Sequence, residues 1–212
     1  MIHSKSFLLT YFFSLCVLFG CNFFSLNAAN EYNIIPFPQK LIPEKGTFNF
    51  NKRTVIYCAF QQADVKKLAQ QFSDQFALVS GIKLEVCEFG SEIDTTNTII
   101  FESKDFISEN VEAYQLNISP KTIRIETQTG NGFFYGLQTL YQLLPVEIYG
   151  KKKATVKKWT APSVMINDAP RFAYRGMHLD VCRHFYPVEF IKKYIDASVS
   201  YTHLTLPTNR EV

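Results

Sequence analysis

The side chains best suited to chemistry lie in one short segment, residues 174–185, near the C-terminal end of the chain. Arg175 stands at the start of an apolar run, Asp180 stands near its end, and Arg183 and His184 follow. A guanidinium presents several N–H donors in a rigid fork, which suits neighbouring oxygen atoms of a ligand. Arg175 could therefore bind such a ligand, or it could have a purely structural role. Asp180 is expected to pair with Arg183 rather than to act as a catalyst.

The apolar run predicts a strand over residues 174–180 that delivers polar groups at its C-terminal end. Such a strand is how a (β/α)₈ barrel begins to build a site. A helix is expected from about Pro187, because proline is tolerated in a first helical turn, and it should reach Asp196. A whole barrel needs roughly 250 residues. Residues 171–197 can therefore supply only the first β/α unit of a truncated barrel.

Residues 31–150 predict a separate α+β domain. A helix over 62–79 has one apolar stripe at helical spacing, and a second helix over 133–144 ends at Pro145. The stripe of the first helix consists of Val65, Leu68, Ala69, Phe72, Phe76 and Val79. The predicted strands are 47–50, 53–60, 82–86, 98–101, 114–118 and 122–127. This order favours a mostly antiparallel sheet with helices on one face, followed by an extended linker over 151–170.

Composition and charge exclude several classes of protein. The chain has 22 basic and 19 acidic residues, a net charge of +3. So small an excess does not indicate a nucleic-acid-binding surface. The lysine cluster at 151–153 and 157–158 is interpreted as a solvated loop. No His/Cys group has the spacing of a zinc site. Beyond residue 29, three cysteines remain at wide spacing, which favours free thiols, with a bridge between Cys58 and Cys87 left open.

The N-terminus has the pattern of an export signal. Lys5 is followed by an almost purely apolar stretch, 7–19, which is too short for a membrane-spanning helix. Residues 1–29 are therefore predicted to be a signal peptide, which places the protein in the periplasm or in the outer membrane of a bacterium. Cys21 ends a lipobox-like segment and, if acylated, would attach the protein to a membrane. Cleavage near Ala28 and Ala29, with Cys21 only one more apolar residue, stays open.

The C-terminal residues 198–212 do not continue the helical pattern. They alternate Ser, Thr and β-branched residues, and the run from Val199 to Thr208 matches one translation frame of a transposase adaptor used in DNA sequencing libraries. We interpret 198–212 as a non-native tail to be excluded from fold reasoning. A genuine short extension is the alternative.

Four segments together resemble a known family. They are Ile-Pro-Phe-Pro at 35–38, Gly-Phe-Phe-Tyr-Gly-Leu-Gln-Thr-Leu at 132–140, Asp-Ala-Pro-Arg-Phe at 168–172, and the block 174–185. Their order and spacing are similar to those of the family 20 glycoside hydrolases, the β-N-acetylhexosaminidases. The resemblance covers about 31–197.

The resemblance implies hydrolysis of terminal non-reducing GlcNAc or GalNAc residues of a glycan with retention. In this family the 2-acetamido oxygen of the substrate is the nucleophile, a glutamate is the acid, and an adjacent aspartate orients the acetamido group. That pair belongs to a later barrel strand, so no catalytic residue is assigned here and the fragment is expected to be inactive. Arg175 would grip sugar hydroxyls, and no metal or organic cofactor is implied. The alternative is a non-catalytic secreted carbohydrate-associated module, which the strand at 174–180 disfavours.

Overall fold

A seven-stranded sheet forms the body of the part of the chain that the structure describes. The structure, a computed structural model, describes residues 32–58, 63–88, 96–103, 109–176 and 178–201. The strands are β1 (Lys40–Asn49), β2 (Val55–Cys58), β3 (Glu85–Glu88), β4 (Thr98–Ser103), β5 (Tyr114–Ile118), β6 (Thr122–Thr127) and β7 (Thr160–Asp168). The helices are α1 (Ala63–Ser80), α2 (Gly130–Leu143) and α3 (Val188–Tyr201), with a short 3₁₀ helix at Val146–Tyr149.

The sheet is mixed rather than mostly antiparallel. Its strand order is β1-β7-β5-β6-β4-β2-β3. The β1–β7, β7–β5 and β5–β6 pairs are antiparallel, whereas β6–β4, β4–β2 and β2–β3 are parallel. The α+β class is confirmed, but the predicted strand direction is wrong for half of the pairs. For the β2–β3 pair the reason is that α1 connects the two strands as a crossover, and a crossover returns the chain to the same end of the sheet.

The second half of the predicted linker is a strand of the sheet. Thr160–Asp168 forms β7, which pairs with β1 on one side and with β5 on the other. Ala161, Val164 and Ile166 are fully buried there. The prediction of an extended linker over 151–170 is therefore wrong from residue 160 onward. The lysine cluster before it is exposed, as predicted.

An aromatic core holds α1 on the sheet. Of the predicted stripe of α1, every member except Leu68 is fully buried. The ring of Phe76 lies 4.9 Å from that of Phe50 and 5.2 Å from that of Trp159. Trp159 is only 5% exposed, so it anchors the end of the loop after α2 in this core. Burial of each such side chain contributes roughly 1.5–3 kcal/mol.

Helix α2 packs on β5 and β6 at unusually short range. Thr129 caps its first turn by accepting a 3.3 Å hydrogen bond from the Gly132 N–H. A Cβ atom placed on Gly132 would lie 1.9 Å from Thr127 Oγ1 and 2.7 Å from the carbonyl oxygen of Ala113. A Cβ atom on Gly136 would lie 2.7 Å from a methyl carbon of Ile125. The glycine spacing in the 132–140 motif therefore reflects how closely this helix approaches the sheet.

The last predicted features are the β5–β6 hairpin, the helix after Pro187, the cysteines and the two ends of the chain. Strands at 114–118 and 122–127 are confirmed, and α3 continues to Tyr201, five residues past the predicted end. Cys58, Cys87 and Cys182 are free thiols, so the Cys58–Cys87 bridge is not formed. Residues 1–29 and 202–212 lie outside the described residues, so the signal peptide and most of the tail stay predictions. Within the described ranges, no helix has the length and apolar character needed to cross a membrane.

Candidate functional site

Arg175 does not lie on a strand. Residues 172–176 and 178–187 contain no strand, so the predicted strand over 174–180 is not formed there. A parallel barrel strand depends on hydrogen bonds to neighbours on both sides. No described strand pairs with this segment. The edge strands of the α+β sheet are β1 and β3, and the described residues of 172–187 are not part of that sheet. Arg175 is held instead by side chains of the α+β domain.

Three groups accept hydrogen bonds from the Arg175 guanidinium. Nη2 donates to Glu112 Oε2 at 2.9 Å and to the Tyr135 hydroxyl at 2.6 Å. Nη1 donates to the carbonyl oxygen of Phe172. The guanidinium carbon also lies 5.4 Å from the centre of the Tyr135 ring, within the range of a cation–π contact. Glu112 stands just before β5 and Tyr135 stands on α2, so two elements of the α+β domain meet at this arginine.

The pair of charges is largely shielded from water. The side chains of Arg175 and Glu112 are 16% and 17% exposed. Burial raises the pKa of the Tyr135 hydroxyl to about 12, although the charge of Arg175 opposes the rise. Burial alone would lower the pKa of Arg175, but its bonds to Glu112 and Tyr135 raise it. The guanidinium is therefore charged and the phenol is protonated at neutral pH.

A cleft of about 650 Å³ opens beside Arg175. Residues 34–37 line one side, α2 lines another through Tyr135 and Gln142, and residues 168–172 line the third. The backbone N–H of Ile35 donates to Gln142 Oε1 at 2.8 Å. The cleft volume falls within the range of small-molecule pockets, roughly 300–1,000 Å³.

Asp168 lies in the wall of the cleft at the end of β7. It accepts hydrogen bonds from the Gln39 N–H at 3.1 Å and from the Tyr114 hydroxyl at 3.2 Å. Tyr114 also shares a 2.6 Å hydrogen bond with Thr139 of α2. Burial raises the pKa of Asp168, while the N–H groups of Gln39 and Ala169 oppose the rise. This cluster ties β1, β5, β7 and α2 together where the α+β domain gives way to residues 171–201.

The other candidates from the sequence lie apart from Arg175. Asp180 pairs with Arg183, as predicted. The side chain of His184 is exposed, and its ring centre lies 4.6 Å from that of Tyr186. Glu189 and Asp196 lie on α3 and are exposed. No catalytic pair is assembled from these carboxylates.

Sequence reasoning missed both side-chain partners of Arg175. Tyr135 is part of the glycine-containing motif of α2, and the motif gave no indication of its partner. Glu112 stands in the segment before β5 and has no motif around it. The two contacts span 63 and 40 residues of the chain. Contacts between residues this far apart in sequence do not affect the local periodicity of the sequence.

Comparison with known proteins accounts for nearly all of the described residues. Residues 31–169 match the family described as "Glycosyl hydrolase family 20, domain 2", and residues 172–204 match the "catalytic domain" of the same family. The match to the catalytic domain begins three residues before Arg175. It also runs past residue 198, where the sequence pattern suggested a non-native tail.

The relatives are β-hexosaminidases that are much longer than this chain. A β-hexosaminidase of Porphyromonas gingivalis is 35% identical over 164 residues, which cover 77% of this chain and 20% of the relative. The solved β-N-acetylhexosaminidase of Streptomyces coelicolor superposes with a TM-score of 0.70 at 26% identity, covering 81% of this chain and 33% of that one.

A β-hexosaminidase of Streptomyces plicatus, solved as a mutant with the product GlcNAc, superposes with a TM-score of 0.68 at 25% identity. That likeness covers 81% of this chain and 33% of the other. The chain thus spans a fifth to a third of the length of these three relatives. With two successive domains matched in order, the chain belongs to glycosyl hydrolase family 20.

Proposed function

We propose that this chain is the leading part of an exported β-N-acetylhexosaminidase that removes terminal, non-reducing N-acetylhexosamine residues from a glycan. The observation that supports this most strongly is the succession of two family matches. The second one includes Arg175 and the 174–185 block. A stand-alone carbohydrate-associated module has no need for the start of a catalytic domain. The relatives of known structure include one with GlcNAc as product.

In the proposed reaction the substrate supplies its own nucleophile. The 2-acetamido oxygen attacks the anomeric carbon while the glycosidic bond breaks and the acid gives its proton to the leaving oxygen. Water then opens the cyclic intermediate with retention of configuration and returns a proton to that acid. An attack within one molecule avoids the entropy cost of bringing two reactants together. The acid and the residue that orients the acetamido group are proposed to follow the 171–201 segment. The carboxylates near Arg175 do not offer them, because Glu112 is ion-paired and Asp168 accepts several hydrogen bonds.

Arg175 is proposed to hold two adjacent hydroxyl groups of the terminal sugar. A guanidinium donates two parallel hydrogen bonds from one edge, and adjacent ring hydroxyls present two oxygens at similar spacing. This role requires the arginine to face the sugar rather than Glu112. In the described arrangement it faces Glu112 instead.

A chimaera tests this function. Residues 31–197 of this chain would replace the corresponding part of the Porphyromonas β-hexosaminidase, and hydrolysis of 4-nitrophenyl N-acetyl-β-D-glucosaminide would be followed. We expect turnover of this substrate and none of 4-nitrophenyl β-D-glucoside, which lacks the acetamido nucleophile. The 212-residue chain alone serves as the control and is expected to release no nitrophenol. Equal turnover of both substrates would contradict the substrate-assisted mechanism.

Export is proposed to proceed through the lipobox. The sequence Leu-Phe-Gly-Cys at 18–21 supports acylation of Cys21. In a bacterial host grown with an alkyne-bearing fatty acid, we expect the chain to become labelled and to sediment with membranes. Cys21→Ser should abolish the label, while Cys16→Ser, a matched change in the same apolar stretch, should keep it. An unlabelled mature protein that begins at Asn30 would show cleavage after Ala29 instead.

A further inference from the structure

The contact between Arg175 and the α+β domain has a consequence for substrate binding. We propose that Glu112 and Tyr135 form a holding site that sequesters the Arg175 guanidinium, and that Arg175 must leave this site before it can hold adjacent sugar hydroxyls. The sugar-binding half of this inference rests on the proposed function. The sequestration itself rests only on the contacts of the described residues.

The geometry of a guanidinium makes the two contacts mutually exclusive. Arginine has two edges that can donate a parallel pair of hydrogen bonds, one formed by Nε and Nη2 and the other by Nη1 and Nη2. Both edges therefore use Nη2. In this structure Nη2 donates to Glu112 and to the Tyr135 hydroxyl, so its two protons are both engaged. Neither edge is left to donate in parallel to a pair of sugar oxygens.

The holding site keeps a hydrogen-bond donor near Glu112 when the arginine leaves. The Tyr135 hydroxyl lies 3.4 Å from Glu112 Oε1 and donates to it. When Arg175 departs, the carboxylate keeps this donor. Removal of one partner of a buried pair is costly mainly when the other is left without any partner. Glu112 and Tyr135 thus form a unit that accepts a guanidinium and also persists without it.

The segment that carries Arg175 is free of the constraints of a sheet. No strand is formed in residues 172–176 and 178–187. Phe172 and Tyr174, which both precede Arg175, are 64% and 75% exposed. Asn110 Nδ2 donates to the carbonyl oxygen of Pro170 at 2.8 Å, which fixes the segment just upstream. Arg175 can therefore exchange partners by a movement of the chain beyond Pro170, with no strand pairing to break.

Arginine modification of the 212-residue chain tests the sequestration. Phenylglyoxal adds to accessible guanidinium groups, and peptide mass spectrometry gives the rate at each arginine. Exposed Arg171, four residues away, is the internal reference. Because Arg175 must first break its charge-assisted bonds, we expect it to react at least about tenfold more slowly than Arg171. Equal rates at Arg171 and Arg175 would overturn the proposal.

Variants identify the groups responsible. Glu112→Gln and Tyr135→Phe should each speed the modification of Arg175, and the double variant should bring its rate to within about threefold of that of Arg171. Glu109→Gln is the matched control, because Glu109 is exposed in the same segment. If the double variant changes the Arg175 rate no more than Glu109→Gln does, the holding site does not exist. Inactivity of the chimaera would count against the proposed function and leave this result standing.

Discussion

Replacement of Gly132 by alanine is expected to destabilise the α+β domain by about 3 kcal/mol or more. The new Cβ would lie 1.9 Å from Thr127 Oγ1 and 2.7 Å from the carbonyl oxygen of Ala113. These two atoms are themselves joined by a 2.7 Å hydrogen bond across β5 and β6, so neither can move without loss of that bond. The gain in helix propensity from glycine to alanine, about 1 kcal/mol, is smaller than the steric cost.

Urea unfolding of the variant and of a neighbouring control measures this effect. Asn131→Ala changes an exposed residue of the same helical turn, and its effect should stay within about 0.5 kcal/mol. A Gly132→Ala variant as stable as Asn131→Ala would mean that α2 does not approach the sheet as closely as the structure shows. The result would then remove the physical reason for the glycine spacing at 132–140.

The second large effect is expected from Arg175 in the chimaera. Arg175→Ala removes two charge-assisted hydrogen bonds to the sugar, each worth roughly 1.5–3 kcal/mol, so kcat/KM should fall by a factor of about 10²–10⁴. The kcat/KM of Arg175→Lys should also fall well below that of the parent chimaera, because an ammonium does not form the paired contact. Initial rates with the chromogenic N-acetylglucosaminide, measured over a range of concentrations, give kcat/KM for each variant.

Arg53 supplies the control for this series. It is an exposed arginine in the turn between β1 and β2, and it does not line the cleft. Arg53→Ala should leave kcat/KM within about twofold of the parent, as is usual for surface changes away from a site. If Arg175→Ala behaves like Arg53→Ala, Arg175 does not contact substrate, and its bonds to Glu112 and Tyr135 are its main role.

The elements that could be predicted from the sequence are those whose signals are local. The stripe of α1 repeats within a single helix. The β5–β6 hairpin places alternating residues on either side of a short turn, and both elements lie where they were predicted. Strand β7 could not be recognised in this way, because its partners β1 and β5 are distant in sequence and Pro162 interrupts its pattern. The parallel pairing of β2 with β3 follows from the crossover through α1, a topological cue that composition does not reveal.

The candidate site, too, could be predicted only where its signal is local in the sequence. Arg175 was identified because the 174–185 block resembles the family, a signal that lies within one segment. The orientation of its side chain was not predicted. That orientation depends on Glu112 and Tyr135, which contact Arg175 only in the tertiary structure. The strand over 174–180 was predicted from a pattern that presumes neighbouring barrel strands. Among the described residues no strand pairs with this segment, and the α+β domain supplies the side-chain acceptors that this arginine uses.

The most direct measurement is the kcat/KM of the chimaera for 4-nitrophenyl N-acetyl-β-D-glucosaminide, side by side with the intact Porphyromonas enzyme. If residues 31–197 of this chain belong to a hexosaminidase, the chimaera should retain activity within about 100-fold of that enzyme, the loss that a small misplacement of the site can cause. A chimaera that folds, as judged by its cooperative unfolding, yet releases no nitrophenol above the rate of the 212-residue chain would contradict the account.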